Sequence, residues 1–400
     1  MSNIKYWLWL SSQTKVSPRS KAALAAYYGD AEAAYLAPEG EYAGIPGVSP
    51  ADAKVLERRD LSRAREILEL CREQDIRVIA LSDAEYPNRL RNISAPPVAL
   101  YVKGRLPNVD EYAAVAVIGT RRASPYGLKL GRSLAYEIAK CGGVVISALS
   151  SGIDRAAARG ALLAGGQCIG VLATAHDQGE DRLCRDIMGS GAVLSEYPPG
   201  AVTMKSFFRD RNRVASGLSA GVAVVEAPAK SGALLFADEA QEQGREIFAV
   251  PGNADSPGSA GTIELLKRGA KPVVCGWDVM EEFQALFPGR ISDAVSPPCP
   301  EASPEPGEAE GEKKPAAAKK VIDKENDRGY IDLAKQLSGL DAQQLSIIGA
   351  IRKGGSHTDD IIEATGLPTA KVLAQLTILE LKGYIRRDAG RRIILNTAKK

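Results

Sequence analysis

The sequence predicts an α/β protein built on an extended Rossmann-like, doubly wound and mostly parallel β-sheet, with a helical domain before it and a winged helix after it. Three observations predict this fold. Short apolar runs rich in β-branched residues alternate with helical segments between residues 113 and 280. Helical periodicity dominates the preceding sequence, and a stretch rich in proline, glutamate, alanine and lysine precedes a tail with its own pattern. We expect a helical domain, a Rossmann-like core, a disordered linker and a winged helix over residues 1–105, 106–290, 291–330 and 331–400.

The N-terminal segment has apolar positions at helical spacing in Ala22–Tyr28 and Leu61–Cys71. The apolar start, Met1–Ser12, is too short for a signal sequence with a cleavage site and predicts a first helix. Two short strand-like runs follow within Ile76–Gly104, around a proline-rich link. We therefore expect a helical domain that ends near the beginning of the core.

A glycine-containing turn lies between these helices, and Ser49 follows it as a predicted N-cap with Pro50 at the first helical position. The pattern fits a helix-hairpin-helix, which binds DNA phosphates through backbone N–H groups. It equally fits an ordinary turn in a packing domain. The absence of lysine and arginine from Gly44–Ser49 favours the ordinary turn.

The core segment contains apolar runs that are typical of strands covered on both faces. Regular alternation of such strands with helices predicts a parallel sheet with right-handed crossovers. The predicted strands are Ala114–Ile118, Val144–Ser147, Cys168–Leu172, Ala192–Ser195, Gly221–Glu226, Glu246–Val250 and Pro272–Cys275.

The tail follows a linker with almost nothing to bury, which we interpret as a disordered tether. Its pattern of three helices and a basic two-strand ribbon is typical of a winged helix. Two interpretations of the ribbon stay open: DNA contact, or docking of a partner with a solvated wing. The arginines that flank its turn are Arg386, Arg387, Arg391 and Arg392.

Composition excludes several classes of protein. The net charge is only +2, so any nucleic-acid site must be a local concentration of cations. The six cysteines form no CxxC pair and there are only two histidines, which argues against a zinc ribbon, a disulfide framework and a histidine metal site. No apolar run is long enough to span a membrane. We expect a protein of the reducing cytosol without metal, cofactor or membrane partner.

Ligands of doubly wound sheets bind at the carboxyl ends of the strands. The first predicted strand is followed by Gly119, Thr120 and Arg121, and then by Ser124 and Pro125, which open a helix. A glycine turn that leads into a helix N-terminus gathers unpaired N–H groups, so we expect one phosphate here. Arg121 adds a fork-shaped donor. The pattern is not GxGxxG, which disfavours a dinucleotide site.

The loop after the second predicted strand contains Gly152, which permits close backbone approach, and Asp154, which we expect to cap the next helix. Ser150 and Ser151 either donate to a phosphate or only line the loop. Residues 231–233 and 251–253 follow later strands and complete the predicted rim.

The most basic run follows the fourth predicted strand and offers cations for phosphates and rings for bases, as single-stranded nucleic acid requires. It contains one acid, Asp210, among the cations Lys205, Arg209, Arg211 and Arg213. If a helix begins at Lys205, that residue and Phe208 share a face, and Arg211, Asn212 and Arg213 lie one turn further on. The pattern does not decide whether Phe207 or Phe208 packs in the core.

One loop favours a different interpretation, a nucleotide-processing enzyme. Pro257–Leu265 is similar to the PGGxGTxxE loop of the lysine-decarboxylase-like phosphoribohydrolases. However, Ser259 replaces the second glycine, and Glu264 comes one residue early, which turns a helical side chain by about 100°. No catalytic acid–base pair is evident elsewhere, so we expect a protein that is not an enzyme and keep this enzyme class as the alternative.

The ordered motifs of the core resemble a known family, the DNA-processing protein A family (DprA, also called Smf). The similarity covers most of the chain and is densest over residues 114–271. The motifs are VAVIGTRRASPYG, SSGIDRAAARGAL, LSEYPPG, FFRDRNRVASGLS, VVEAPAKSGAL, EQGREIFAVPG and GTIELLKRGA. The resemblance implies an N-terminal domain similar to a sterile-alpha-motif fold, an extended Rossmann core and a C-terminal winged helix.

The resemblance further implies a homodimer that binds single-stranded DNA entering the cell during natural transformation. Such proteins protect this DNA, help to displace single-strand binding protein and load the RecA recombinase. Carried over by position, the implied DNA-binding residues are Gly119, Arg121, Lys205, Phe208, Arg211, Asn212 and Arg213, with Thr120 where the family usually has serine.

The second loop departs from the family pattern Ser-Gly-x-Ala-Arg-Gly-Ile-Asp. Ala148, Ser150 and Ser151 replace the family's glycine, alanine and arginine, and Ala158 stands where histidine is common. The missing arginine removes one cation from the expected pocket, and Arg122 or Arg155 is a possible substitute. We therefore expect weaker DNA affinity than is typical of the family, with the fold unchanged.

Overall fold

The computed structural model describes residues 3–293, 299, 342–352, 358–381, 385–388 and 392–395. The chain forms two compact units, Met1–Pro304 and Glu305–Lys400. Within the described residues, every helix is too short or too polar to cross a membrane.

The N-terminal part of the first unit consists of helices packed around α1. Their bounds are α1 Ile4–Ser12, α2 Pro18–Tyr28, α3 Ala31–Leu36, α4 Pro50–Leu56 and α5 Ser62–Glu73. The apolar start of the chain forms α1 as predicted, and Trp7 and Trp9 of this helix are buried in the domain core. Ser49 accepts a hydrogen bond from the Asp52 N–H and caps α4, with Pro50 at the first helical position.

The turn before α4 uses its backbone N–H groups internally. Ile45 and Val48 donate to the carbonyls of Tyr42 and Ile45, and Ser49 donates to Ser20 Oγ. Ile45 and Val48 are also buried. These contacts favour the ordinary turn over a phosphate-binding hairpin.

A nine-stranded sheet follows, in the order β1-β2-β6-β5-β4-β3-β7-β8-β9. The strands are β1 Arg77–Ala80, β2 Ala99–Gly104, β3 Ala114–Ile118, β4 Val144–Ser147, β5 Cys168–Val171, β6 Ala192–Ser195, β7 Gly221–Val224, β8 Glu246–Ala249 and β9 Lys271–Pro272. All pairs from β6 to β9 across the sheet are parallel. The last predicted strand is shorter than expected, because the Val274 N–H donates to Asp278 Oδ2 and Cys275 is already the N-cap of the next helix.

The boundary predicted at residue 105 is not where the sheet begins. β1 pairs antiparallel with β2, and β2 pairs antiparallel with β6, from Tyr101 opposite Ser195 to Gly104 opposite Ala192. These strands thereby cover an edge of β6 that would otherwise expose its hydrogen-bonding groups. The helical part of the chain therefore ends with α5, and β1 and β2 belong to the sheet.

Helices cover both faces of the sheet. They are α6 Asn88–Arg91, α7 Pro125–Lys140, α8 Ile153–Leu163, α9 His176–Gly179, α10 Arg182–Met188, α11 Phe207–Leu218, α12 Gly232–Glu242, α13 Ala260–Lys267 and α14 Gly276–Met280. β3 shows the two-sided burial: Ala116 and Ile118 pack with α11 and α12, while Val115 and Val117 pack with α7 and α8. The doubly wound, mostly parallel core is confirmed.

The strand order changes direction between β3 and β7. The chain lays β4, β5 and β6 on one side of β3 and then crosses back to place β7 on the other side. In doubly wound sheets this switch point leaves a crevice at the carboxyl ends of the two neighbouring strands. The candidate site lies there.

The second unit contains three described helices and a two-stranded antiparallel ribbon, as a winged helix requires. They are α15 Ala342–Arg352, α16 Thr358–Thr365, α17 Thr369–Leu381, β10 Ile385–Asp388 and β11 Arg392–Leu395. The backbones of Arg386 and Arg387 lie in β10 and that of Arg392 in β11. Arg391, the side chains of all four wing arginines and nearly all of the predicted linker lie outside the described residues.

Candidate nucleic-acid interface

A cavity of about 630 Å³ lies at the switch point. It is lined by the loop after β3, the loop after β4, the segment leading into α11 and the loop after β7. In that order, these segments contribute Gly119–Arg122; Ser150; Lys205, Phe208, Arg209, Arg211 and Asn212; and Lys230–Ala233. Loops that are distant in the sequence therefore meet in one place, as the strand-end argument predicts.

Arg121 and Phe208 form the central pair of the cavity. The Arg121 guanidinium carbon lies 5.3 Å from the centroid of the Phe208 ring, a cation–π distance. Phe208 is 40% exposed and Arg121 is exposed as well. The pair thus presents a positively charged stacking surface to solvent.

Phe207, the neighbouring ring, has the opposite environment. It is 1% exposed and stacks on Tyr197, with ring centroids 3.4 Å apart and planes 8° from parallel. The Tyr197 hydroxyl donates to Asp210 at 2.7 Å, so the one acid of the basic run is engaged by a hydrogen bond and half-buried. The structure therefore assigns Phe207 to the core and Phe208 to the cavity.

Lys205 precedes α11, since that helix begins at Phe207. The predicted helical face shared by Lys205 and Phe208 is therefore wrong. Both residues are nevertheless exposed and line the cavity, because the turn before the helix brings Lys205 to the same side.

Arg211 is the buried cation of the cavity, at 5% exposure. It donates through Nη2 to Ser150 Oγ at 2.9 Å and through Nε to Asn212 Oδ1 at 3.1 Å. Burial lowers the pKa of Arg211 to about 10, and the nearby Asp154 carboxylate opposes that effect. Ser150 and Asn212 thus orient a guanidinium at the floor of the cavity.

The sequence predicts that Asp154 caps α8. In the structure it instead joins two of the loops. Its Oδ1 accepts the Gly119 N–H at 3.2 Å, and the N-cap position of α8, Gly152, has no side-chain bond. Burial raises the pKa of Asp154 to about 6, although the Arg211 charge and hydrogen bonds favour the ionised form.

Gly119 and Gly152 allow these loops to approach closely. A Cβ on Gly119 would lie 2.6 Å from Ile153 Cγ1, and Gly152 has φ +81° with a Cβ position 2.3 Å from the Thr120 carbonyl oxygen. The Thr120 N–H in turn donates to the Glu226 carbonyl at 2.7 Å. Thr120 therefore lines the cavity, while Gly152 packs against the Thr120 backbone without lining the cavity itself.

The N-terminus of α7, where the sequence predicts a phosphate, is partly filled by the protein itself. A carboxylate of the protein itself occupies that position: Glu226 Oε2 accepts the Ser124 N–H at 2.9 Å and the Ser124 hydroxyl at 3.2 Å. Ser124 Oγ also accepts the Gly127 N–H at 3.0 Å. A carboxylate therefore already stands at the positive end of the α7 dipole.

Arg213 lies outside the lining of the cavity, unlike Arg211 and Asn212, with which the sequence groups it. It is 7% exposed, pairs with Glu196 at 2.5 Å and donates to the Ala95 carbonyl. Two helical residues turn a side chain by about 200°. Arg213 therefore points away from Arg211 and fastens α11 to the loop before β2.

Sequence reasoning missed Lys230, which is exposed at the cavity rim. Its signal was its position in the loop between β7 and α12, at the switch point. The rim prediction for residues 231–233 agrees with the lining, whereas residues 251–253 lie outside it.

Glu264, the residue on which the enzyme alternative depends, lies on the exposed side of α13. Its carboxylate pairs with Arg268 at 3.4 Å and stands outside the cavity lining of the described residues. No described contact brings it to the place where a nucleotide would bind.

Residues 77–284 match the family model described as DNA recombination-mediator protein A, and residues 332–391 match the DprA winged helix domain. The chain belongs to the DNA recombination-mediator protein A family. The expected family is thereby confirmed. Its model begins at residue 77, the first residue of β1, in agreement with the inclusion of β1 and β2 in the core sheet.

Among relatives, the DNA processing protein DprA of Bacillus subtilis (strain 168) is 39% identical over 221 residues, which are 54% of this chain and 74% of that protein. Protein Smf of Synechocystis is 27% identical over 402 residues and covers 97% of both chains. The X-ray structure of DNA processing protein A from Streptococcus pneumoniae superposes with a TM-score of 0.59 at 31% identity, over 70% of this chain and 98% of that one.

The departures of this family member in its second loop have structural consequences. Ser150 orients Arg211, and Ser151 is exposed beside it. Of the two substitutes considered for the missing arginine, Arg122 lines the cavity, while Arg155 pairs with Asp181 at 2.6 Å.

Proposed function

We propose that this protein binds single-stranded DNA in the switch-point cavity and acts as a recombination mediator during natural transformation. The observation that carries the proposal is the meeting of Arg121, Phe208, Lys205 and Arg211 in one cavity. A cation–π pair at the mouth and a buried guanidinium at the floor supply the ring and the charges that a single strand requires.

The rim supports the same conclusion. Four exposed cations surround the cavity: Arg122, Lys205, Arg209 and Lys230. Within the described part of the chain, the structure shows no ion pair for any of them. Cations held this close without an anion repel one another, so a polyanion that neutralises several of them at once stabilises the arrangement. Because an exposed ring accepts only an unstacked base, the site favours single over double strands.

The mediator role comes with specific partners. We propose that the protein holds incoming DNA against nucleases, helps to displace single-strand binding protein and loads RecA. We also propose a homodimer, which is supported by Val274, an exposed apolar side chain that closely follows the edge strand β9. The family description as a recombination mediator supports the transfer of DNA to a recombinase.

The test is the affinity of the full chain for a fluorescent oligothymidine, measured by anisotropy. The double substitution Arg121→Ala with Lys205→Ala should weaken binding by about 10-fold or more, because two phosphate contacts are lost. A matched control, Lys54→Ala with Arg72→Ala, removes the same charge from exposed helical positions in the N-terminal domain and should bind normally. Equal affinity of the folded double variant and the control would rule out the site.

The mediator role is tested separately with RecA filament formation on DNA coated with single-strand binding protein. The protein should accelerate filament formation, and the Arg121/Lys205 variant should not. If the variant binds DNA poorly but still accelerates RecA, DNA binding in the cavity and recombinase loading are separate functions.

A further inference from the structure

The segment between β6 and α11 leads directly to Lys205, one of the exposed cations of the switch-point cavity. We call its residues 198–204 the 198–204 loop. This loop precedes the cavity residues along the chain but lies outside the lining of the cavity. Contacts that hold the loop therefore also set the position of the Lys205 backbone.

The short helix α9 holds the 198–204 loop by three hydrogen bonds. Gln178 Nε2 donates to the Ala201 carbonyl at 2.8 Å, and Gln178 Oε1 accepts the Thr203 hydroxyl at 2.9 Å. The neighbouring Asp177 carboxylate accepts the Gly200 N–H at 3.1 Å. Two adjacent side chains of α9 thus bond three residues of the loop.

The helix α9 is itself fastened to β2. The His176 side chain is fully buried, with Nε2 at 2.9 Å from the Tyr101 carbonyl oxygen and Nδ1 at 2.6 Å from Glu180 Oε1. Glu180 also pairs with Lys103 of β2 at 3.0 Å. The helix that holds the 198–204 loop is therefore anchored in the sheet.

The N-terminal helical domain holds the same loop. Arg63 of α5 donates through Nη2 to the Pro199 carbonyl at 3.1 Å. Ala201 is buried in a small apolar cluster, whereas Val202 beside it is 79% exposed. Apolar burial thus fixes only part of the loop, and the hydrogen bonds from α5 and α9 add contacts where burial is absent.

We propose that Gln178 and Arg63 are positioning residues for single-stranded DNA. They hold the 198–204 loop so that Lys205 stays at the cavity, although both lie outside its lining. When such a loop samples several positions, the apparent affinity falls with the fraction of molecules that have Lys205 in place. The N-terminal helical domain thereby contributes to DNA affinity through Arg63. This inference rests on the proposed binding of single-stranded DNA.

The test is a double-mutant cycle with Lys205, measured on the full chain with the fluorescent oligothymidine. Gln178→Ala should weaken binding by about 3- to 10-fold, because Lys205 is in place less often. In a Lys205→Ala background the same change should weaken binding by less than about 2-fold, since the cation that Gln178 positions is absent. The matched control is Gln241→Ala, which removes an exposed glutamine of α12 outside the cavity lining and should bind normally.

The salt dependence separates positioning from a general loss of structure. In Gln178→Ala the slope of log affinity against log salt should become smaller by up to about 0.7, the value of one phosphate contact. Arg63→Ala should weaken binding by about 2- to 10-fold and show the same non-additivity with Lys205→Ala. Arg72→Ala, on the same helix, should bind normally.

Two results would overturn the inference. One is an equal loss from Gln178→Ala with and without Lys205, and the other is normal binding by Gln178→Ala or by Arg63→Ala. Failure of the proposed function is recognised separately, because the Arg121/Lys205 variant would then bind normally.

Discussion

Two adjacent phenylalanines show how the environment of a residue decides its role. Phe207 is stacked on Tyr197 in the interior, while Phe208 faces Arg121 across the cavity. Their sequence context is nearly identical. Helical geometry separates them by about 100°, which is enough to place one ring in the core and the other at the ligand site.

This difference predicts opposite effects of the same substitution. Phe208→Ala should weaken single-stranded DNA binding by about 1–3 kcal/mol, because the proposed stacking of the ring on a base is lost. Its stability should stay nearly unchanged, because the ring is exposed. Phe207→Ala should lower the free energy of unfolding by about 3–5 kcal/mol, because it leaves a cavity in the core. Anisotropy and urea denaturation of both variants measure the two effects. The assignment is wrong if Phe208→Ala is the variant that unfolds.

The sequence identified the residues whose position follows from strand ends. Arg121 comes directly after β3, and Lys205 and Phe208 come after β6, so topology alone places them at one edge. Arg213 and the α7 N-terminus have surroundings that the sequence did not predict, for a different reason. Their partners, Glu196 and Glu226, are tertiary contacts, and Glu226 is 102 residues from Ser124. No local sequence pattern predicts such a partner.

At the scale of elements, the site depends on how two loops are joined. Asp154 at the start of α8 binds the Gly119 N–H after β3, and Gly152 packs its Cα against the Thr120 carbonyl. Arg211 of α11 reaches the same place through Ser150. A buried acid thus links the loops that present Arg121 and Arg211.

The raised pKa of Asp154, about 6, predicts a pH dependence of stability. The folded protein holds the proton of the Asp154 carboxyl more tightly than the unfolded chain does. Protonation of Asp154 therefore adds to the free energy of unfolding at low pH, and this addition is lost as pH rises through about 6. Asn does not titrate, so Asp154→Asn is the reference. Relative to this variant, the free energy of unfolding of the wild type should rise by on the order of 2–3 kcal/mol when the pH is lowered from 7 to 4. Urea denaturation across this range measures the difference. Parallel pH curves for the two proteins would contradict the buried, partly neutral acid.

Strand prediction succeeded where burial is complete and failed at the edges of the sheet. β3, β4 and β6 have the predicted bounds, since apolar runs covered on both faces are distinctive. The sequence predicted β1 and β2 only as strand-like runs, without indicating the strands with which they pair. Their antiparallel addition to β6 does not follow from strand–helix alternation, so the sequence could not place them in the sheet.

At the scale of the whole molecule, a net charge of +2 conceals a strong local field. The cations at the cavity come from three separate segments, the loop after β3, the start of α11 with the turn before it, and the loop after β7. Their acidic neighbours are engaged elsewhere, since Asp210 accepts from Tyr197 and Glu226 accepts from Ser124. Composition therefore could not predict a polyanion site. Only the convergence of loops at the switch point creates it.

The salt dependence of single-stranded DNA affinity tests this convergence most directly. Log affinity for oligothymidine should fall linearly with log salt, by about 0.7 for each phosphate that the protein neutralises. In the Arg121→Ala, Lys205→Ala variant the slope should be smaller by about 1.4, while the Lys54/Arg72 control keeps the full slope. An unchanged slope in the folded Arg121/Lys205 variant would show that the DNA backbone lies elsewhere and would contradict the switch-point cavity as its binding site.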